Sequence, residues 1–224
     1  MQDPVRMSGN HTRFDPIHCD TLNPFMYSSA ILKLSTIPSA QECQSVFTLL
    51  FPGAHLAVFT TNGTPYHRMV VNLEDAGFEI RDQIVWVGNP HVQIALARKP
   101  LEESTVSANV LKYGTGGLNV HAGRIATEQL TDDTASNGRF PANVIMTKAA
   151  AARLDEQSGT LKSGFFGGRR NEPKTKNTFG TFAVRDENAG RPANRGVASR
   201  FFKCCDSEQE LIEYLTLLIG QGCC

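Results

Sequence analysis

The stretch PGAHLAVFTTNGTPYHRMVVNLEDAGFEIRDQIVWV, Pro52 to Val87, decides the fold class; a second apolar run, ALARKPL (Ala95 to Leu101), ends in charge. Leu56 to Phe59 has the length of a short strand, and Thr60 to Tyr66 is a loop rich in Thr, Gly and Pro. Met69, Val70, Leu73 and Ala76 mark one helical face, with Gly77 as its C-terminal stop. Phe78, Ile80, Ile84, Val85 and Trp86 then resume strand-like spacing. A helix between two apolar strands implies a parallel sheet and a right-handed crossover, hence an α/β class.

At 224 residues, the chain is long enough for one domain with a real core and an appended lobe. A hydrophobic content of 41% with 20% charged residues fits a soluble globular protein. No apolar run approaches the ~20 residues that span a bilayer, so no membrane association is expected. The opening MQDPVRMSGNHTRF has no apolar signal core, which points to a cytoplasmic location. Cysteines 19, 43, 204, 205, 223 and 224 include no CxxC spacing. Reduced thiols are therefore expected, the alternative being a metal site through Cys204, Cys205 and a histidine. Cys223 and Cys224 are open to oxidation in vitro. His11, His55, His91 and His121 show no mutual metal-ligand spacing, and no metal is expected.

Net charge is zero but unevenly spread. Residues 1–97 carry 5 basic and 8 acidic side chains, residues 98–203 carry 17 and 10, and residues 204–224 carry none and 4. Within 160–203 alone there are 10 basic and 3 acidic residues, an asymmetry that favours a polyanionic partner. Residues 1–45 are weakly patterned. Ala142 to Met146 reads as a short strand and Lys148 to Leu154 as a short helix. From Lys162 to Ser199 apolar periodicity almost vanishes, with Phe165, Phe166, Phe179 and Phe182 isolated among Gly and basic residues. Ser207 to Ile219 reads as an amphipathic helix, Ser207 capping it with Glu210 at capping-box spacing.

PGAHLAVF, LEDAGFEIRDQIVW and LARKPL, followed in order by NVLKYGTGGLNV (109–120), GRFPANVI (138–145), LDEQSG (154–159) and ASRFF (198–202), resemble bacterial and phage DNA amino-methyltransferases. The likeness covers roughly residues 46 to 203. It implies a Rossmann-like methyltransferase sheet, incomplete here, with an irregular basic recognition insertion. The implied organisation is a partial catalytic core at 1–101, a target-recognition and DNA-binding region at 102–203, and a C-terminal helix returning to the core at 204–224. The implied activity is transfer of methyl from S-adenosylmethionine to an exocyclic amine of adenine (N6) or cytosine (N4) in double-stranded DNA. The alternative is a non-catalytic DNA-binding homologue, fragment or subunit, acting as a homodimer or with a completing partner chain.

In such enzymes a motif of the form Asp/Asn/Ser-Pro-Pro-aromatic clamps the flipped base. The nearest match is Asp15-Pro16-Ile17-His18, with Asp15 accepting from the amine and His18 stacking; the other reading is a plain Asp-Pro turn. The family's Gly-rich cofactor loop has no counterpart, since Gly220-Gln221-Gly222 has no preceding strand and reads as a helix cap. Lys99-Pro100 lies either near the active-site face, as in relatives, or at a plain strand end. His67 resembles a recurrent family histidine that seats the helix or faces DNA. Arg169, Arg170, Lys174, Lys176, Arg185, Arg191, Arg195 and Arg200 are the expected DNA contacts, with a solvated insertion as the bland reading. Phe201 and Phe202 read as core anchors. A nicotinamide enzyme is disfavoured, because Gly114, Gly116 and Gly117 follow no strand in GxGxxG spacing.

Overall fold

The computed structural model describes residues 13–17, 26–60, 65–126, 138–162, 164, 176–177, 180–181 and 195–220. Internal contacts divide the chain into residues 1–151 with 201–224, and residues 152–200. The segment from Leu101 to Ala151 thus groups with the sheet rather than with the basic stretch.

The first unit holds a sheet of seven strands, β1 (Arg13–Ile17), β2 (Tyr27–Leu34), β3 (Leu50–Thr60), β4 (Glu79–Val87), β5 (Val92–Arg98), β6 (Val144–Met146) and a late strand at Lys203–Cys204. Their order is β1-β2-β3-β5-β4-β6 and then Lys203–Cys204. β2 and β3 are parallel, as are β4 and β6 and the final pair, while β1 and β5 run against their neighbours. The result is an α/β architecture compatible with a Rossmann-like sheet.

The unit read from Pro52 to Val87 is present as β3, helix α2 (Tyr66–Asp75) and β4. Gly77, at φ +96, closes α2 as expected: its N–H reaches Glu74 O at 2.8 Å and Phe78 N–H reaches Leu73 O at 3.0 Å. That bond pair is the Schellman pattern, which a residue with no Cβ enters without strain. One expectation needs correcting: β3 and β4 share a direction but do not touch, because β5 lies antiparallel between them. The four-residue turn from β4 makes this hairpin entropically cheap to close. Ile94, Ala95, Leu96 and Ala97 of β5 are all at most 2% exposed, so β5 needs cover on both faces.

Two strands and a helix precede that unit. Helix α1 (Ala40–Leu49) starts at Ser39, whose Oγ accepts from Glu42 N while Glu42 Oε2 accepts from Ser39 N, a complete capping box. On one face of the sheet α1 and α2 bury Cys43, Val46, Met69 and Leu73 against Leu32, Leu56, Val58 and Ala97. On the other, Leu211, Leu215 and Ile219 of the C-terminal helix (Glu208–Ile219) pack on Ile31, Ala57, Ile94 and Leu96. Helix α3 (Val106–Tyr113) is capped by Thr105 and stopped by Gly114 in the left-handed region. α4 (Lys148–Ser158) follows β6 and extends past the Leu154 expected for it.

Two pairs of two-residue strands complete the strand list. β7 (Leu161–Lys162) pairs with β10 (Arg195–Gly196), and β8 (Lys176–Asn177) with β9 (Gly180–Thr181). The strand at Lys203–Cys204 is β11 and the C-terminal helix is α5.

Candidate functional site

In open α/β sheets ligands bind beyond the carboxyl ends of the parallel strands. Here those ends are Leu34, Thr60, Val87, Met146 and Cys204. The residues that continue from them are Ser35 to Pro38, Gly88 to His91, Thr147, and Cys205 to Ser207; residues 61–64 lie outside the described residues. α2 begins on this edge, with exposed His67 in its first turn.

Most charge on this edge is engaged in holding helices. Lys33 Nζ meets Glu208 Oε2 at 2.5 Å, joining β2 to the start of α5. Asp206 receives both Lys148 Nζ at 2.7 Å and Lys148 N–H at 2.6 Å, anchoring the start of α4. Trp86 Nε1 donates to Cys205 O at 3.0 Å. Ser207 Oγ caps α5 by accepting from Glu210 N, but Glu210 Oε2 accepts from Asp206 N rather than from the cap, so only half of the expected box forms. Among the described residues no three His, Cys, Asp or Glu side chains converge on a metal position. Cys205 is buried, which pushes its thiol up to about 11, and its Sγ donates to Glu210 O.

Asp15 and Pro16 stand in β1, opposite Ile31 and Ala30 of β2. The plain-turn reading of this dipeptide is thus replaced by an edge strand, where proline costs no ladder bond. Asp15 is three register positions, about 10 Å, from the carboxyl end of β2. Since β1 is antiparallel, the chain leads away from that end at Ile17, which pairs Ser29. His18 lies outside the described residues. So do Arg169, Arg170, Lys174, Arg185 and Arg191. Lys176 belongs to β8, and Arg195 is an exposed residue of β10. Arg200 is half-buried, its guanidinium lying across Gly196. Phe201 does not anchor the core: it is 43% exposed, with the Arg139 guanidinium 4.8 Å from its ring centroid.

The opposite, amino edge of the sheet brings together residues from PGAHLAVF, LARKPL and NVLKYGTGGLNV. Asn109 of α3, fully buried, donates through Nδ2 to Pro52 O at 2.9 Å and Thr115 O at 2.8 Å. Its Oδ1 accepts from Glu102 N at 3.1 Å, and the Thr115 hydroxyl also donates to Pro52 O. Gly53, at φ +81, makes room: a Cβ there would sit 2.5 Å from Asn109 Nδ2. Lys99 Nζ donates to Phe47 O and Leu50 O at 2.9 and 2.8 Å, satisfying carbonyls at the end of α1. Because β5 runs antiparallel, Lys99-Pro100 is at the amino edge and ends a strand; it does not face the carboxyl ends.

Beside this knot lies a cross-strand row that sequence reasoning missed, Ser29, His55 and Arg98 on β2, β3 and β5. All three are buried. Arg98 binds Glu79 Oε2 through Nε and Nη2, at 3.1 and 2.6 Å, and Gly116 O through Nη1. Ser29 Oγ has no hydrogen-bond partner among the described residues. Burial, reinforced by the positive charges of Arg98 and Arg81, lowers His55 from its ordinary 6.5 to about 4.

Linkage gives the sign. The folded state resists protonating His55, so the unfolded chain binds the extra proton between pH 6.5 and about 4, and stability falls as pH falls through that window. A loss of about 2 kcal/mol between pH 8 and 5 is expected from this group. Urea midpoints measured against pH should show the slope in the native chain and lose it in His55→Gln. A parallel slope in the variant would assign the effect to other groups.

No protein-family model, curated protein or solved structure matches this chain.

Proposed function

We propose that the chain is built on the scaffold of S-adenosylmethionine-dependent DNA amino-methyltransferases and acts on double-stranded DNA. The observation that carries this reading is the convergence of its ordered phrases. Pro52-Gly53, Arg98-Lys99, Asn109 and Thr115-Gly116 come from three separate phrases and meet in one buried hydrogen-bonded knot. Residues that must fit one another in space are the ones a shared scaffold keeps together in a sequence.

When bound, S-adenosylmethionine would supply an electrophilic sulfonium methyl for the exocyclic nitrogen, the C–S electron pair staying on sulfur and the proton of the nitrogen passing to water. The protein's share is positioning and electrostatics. Asp15 is the acceptor suggested by motif. Ser35 is the acceptor suggested by place, since it directly follows the carboxyl end of β2 and serine fits the motif's first position.

A second reading, a DNA-binding homologue that does not catalyse, draws support from the carboxyl edge. There Lys33, Lys148, Asp206 and Glu208 are paired with one another, and Asp15 stands mid-strand.

Titration calorimetry with S-adenosylmethionine, with duplex binding at two salt concentrations, separates the two. Cofactor binding and labelled-methyl transfer to duplex DNA are expected under the first, with transfer lost in Ser35→Ala or Asp15→Ala according to which accepts the amine. Salt-sensitive duplex binding without cofactor binding selects the second. No DNA binding at low salt removes both.

A further inference from the structure

Within the unit formed by residues 152–200, two cations face each other across a short ladder. β7 and β10 pair antiparallel, with Lys162 directly opposite Arg195 and Leu161 opposite Gly196. Residues opposite one another in such a ladder project from the same face, their Cβ atoms about 5 Å apart. Lys162 and Arg195 are both exposed, and no carboxylate of the described residues pairs with either. The other face of the ladder is covered. There the Arg200 guanidinium lies over Gly196, where a Cβ would collide with it.

The support beneath the two cations is tied to α4 from both strands. β7 follows α4 through Gly159, at φ +61, whose N–H reaches Asp155 O at 2.8 Å. β10 runs on to Ser199, whose N–H and Oγ donate to the Asp155 carboxylate at 2.8 and 2.6 Å. That carboxylate is therefore committed to Ser199 and does not neutralise the cations. Like charges directly opposite one another destabilise a strand pair, and this ladder has only two residue pairs to hold it. An anion between the side chains removes the repulsion and makes the pair a clamp. Arg offers a planar fork and Lys a compact point charge, which together suit the tetrahedral oxygens of a phosphate. With 10 basic and 3 acidic side chains, residues 160–203 favour a polyanion as the source of that phosphate.

We propose that Lys162 and Arg195 clamp a single backbone phosphate of DNA between them. This rests on the reading of the chain as a DNA-acting protein. It goes beyond that reading by adding Lys162, which the charge pattern alone did not single out, and by giving the two cations one shared phosphate instead of one each.

The test uses the full chain and fluorescence anisotropy with a labelled duplex over a series of salt concentrations. Each phosphate neutralised contributes about 0.9 to the slope of log affinity against log salt. Lys162→Gln and Arg195→Gln should each weaken binding several-fold yet change that slope by less than about 0.5, because the remaining cation still holds the phosphate. The double variant should lower the slope by about 0.9. Lys162→Arg should bind as the native chain does. Lys162→Glu separates binding from folding: it sets opposite charges across the ladder, so amide exchange at 161–162 and 195–196 should slow while duplex affinity falls at least about tenfold. Losses of about 0.9 from each single variant, adding to about 1.8 in the double, would assign two phosphates and overturn the clamp. A double variant matching the native chain in affinity and slope overturns phosphate binding at this ladder and leaves DNA binding by other residues standing. If inorganic phosphate, followed by 31P line broadening, loses its binding in that variant while the duplex does not, the ladder takes free phosphate and the DNA assignment is overturned. Absence of duplex binding by the native chain at low salt overturns both the clamp and the reading beneath it.

Discussion

Asn109→Ala is expected to cost about 4 kcal/mol of folding stability, although the site is remote from the carboxyl edge. The side chain is fully buried and joins three segments, at Pro52, Glu102 and Thr115. Truncation leaves the Glu102 N–H and the Thr115 carbonyl without their partner, at about 1–3 kcal/mol each, and opens a void. Pro52 O keeps the Thr115 hydroxyl, which limits the loss there. Asn109→Asp sharpens the assignment. It has nearly the same shape but replaces the donor with an oxygen facing two carbonyls, so it should cost at least as much as alanine. For a chain of this size the shift in melting temperature is about 8–16 °C. A change below about 1 kcal/mol in urea titrations of either variant would show that the knot does not hold the amino edge together.

That knot also explains why the phrases were readable while the geometry was not. Gly53, Arg98 and Asn109 stand out as words in a sequence, but only folding reveals that they touch. Arg98 and Lys99 look like one charged strand terminus. In the fold Arg98 is buried against Glu79, 19 residues earlier, and Lys99 closes α1 from 49 and 52 residues away. Long-range pairing of this kind has no local periodicity. The elements that were legible, β3, α2, β4, β5, β6 and α5, are those whose spacing or caps are local. The strand Tyr27–Leu34 and α1 were legible in principle, through the run AILKL and the Ser39–Glu42 box, but were not assigned. The placement of β5 between β3 and β4 was not legible, because a buried strand reads the same whatever its neighbours.

The candidate site divides in the same way. Asp15-Pro16 matched a motif by type and order, yet strand pairing sets it in the middle of the edge strand β1, and no sequence pattern reports which end of a strand a residue occupies. Phe201 read as a core anchor because, with Phe202, it ends a short apolar run. Its exposure depends on the turn Ala198–Phe201, which presents the ring to Arg139. The Ser29–His55–Arg98 row left no signal, since each residue alone is unremarkable and only strand register aligns them.

Leu215→Ala, the second large effect, asks what holds α5 on the sheet. Leu215 is fully buried among Ile31, Ala57, Ile94 and Leu96, and enclosed sites of this kind lose about 4 kcal/mol, transfer and cavity contributions together. Leu217, two residues on and 54% exposed, should tolerate alanine within about 0.5 kcal/mol. The Lys33–Glu208 pair offers a rival explanation for docking. Its side chains are 27% and 38% exposed, and ion pairs so placed are worth about 1 kcal/mol or less, so Glu208→Gln should barely move the midpoint. Trp86 is the chain's single tryptophan; it packs against the same cluster and donates to Cys205 O just before α5. Its emission therefore follows the helix directly. If Leu215→Ala shifts the fluorescence-detected urea midpoint strongly and Glu208→Gln does not, apolar burial holds α5 and salt should leave its docking unchanged. If the order is reversed, the helix is held at its charged end, and raising ionic strength should release it.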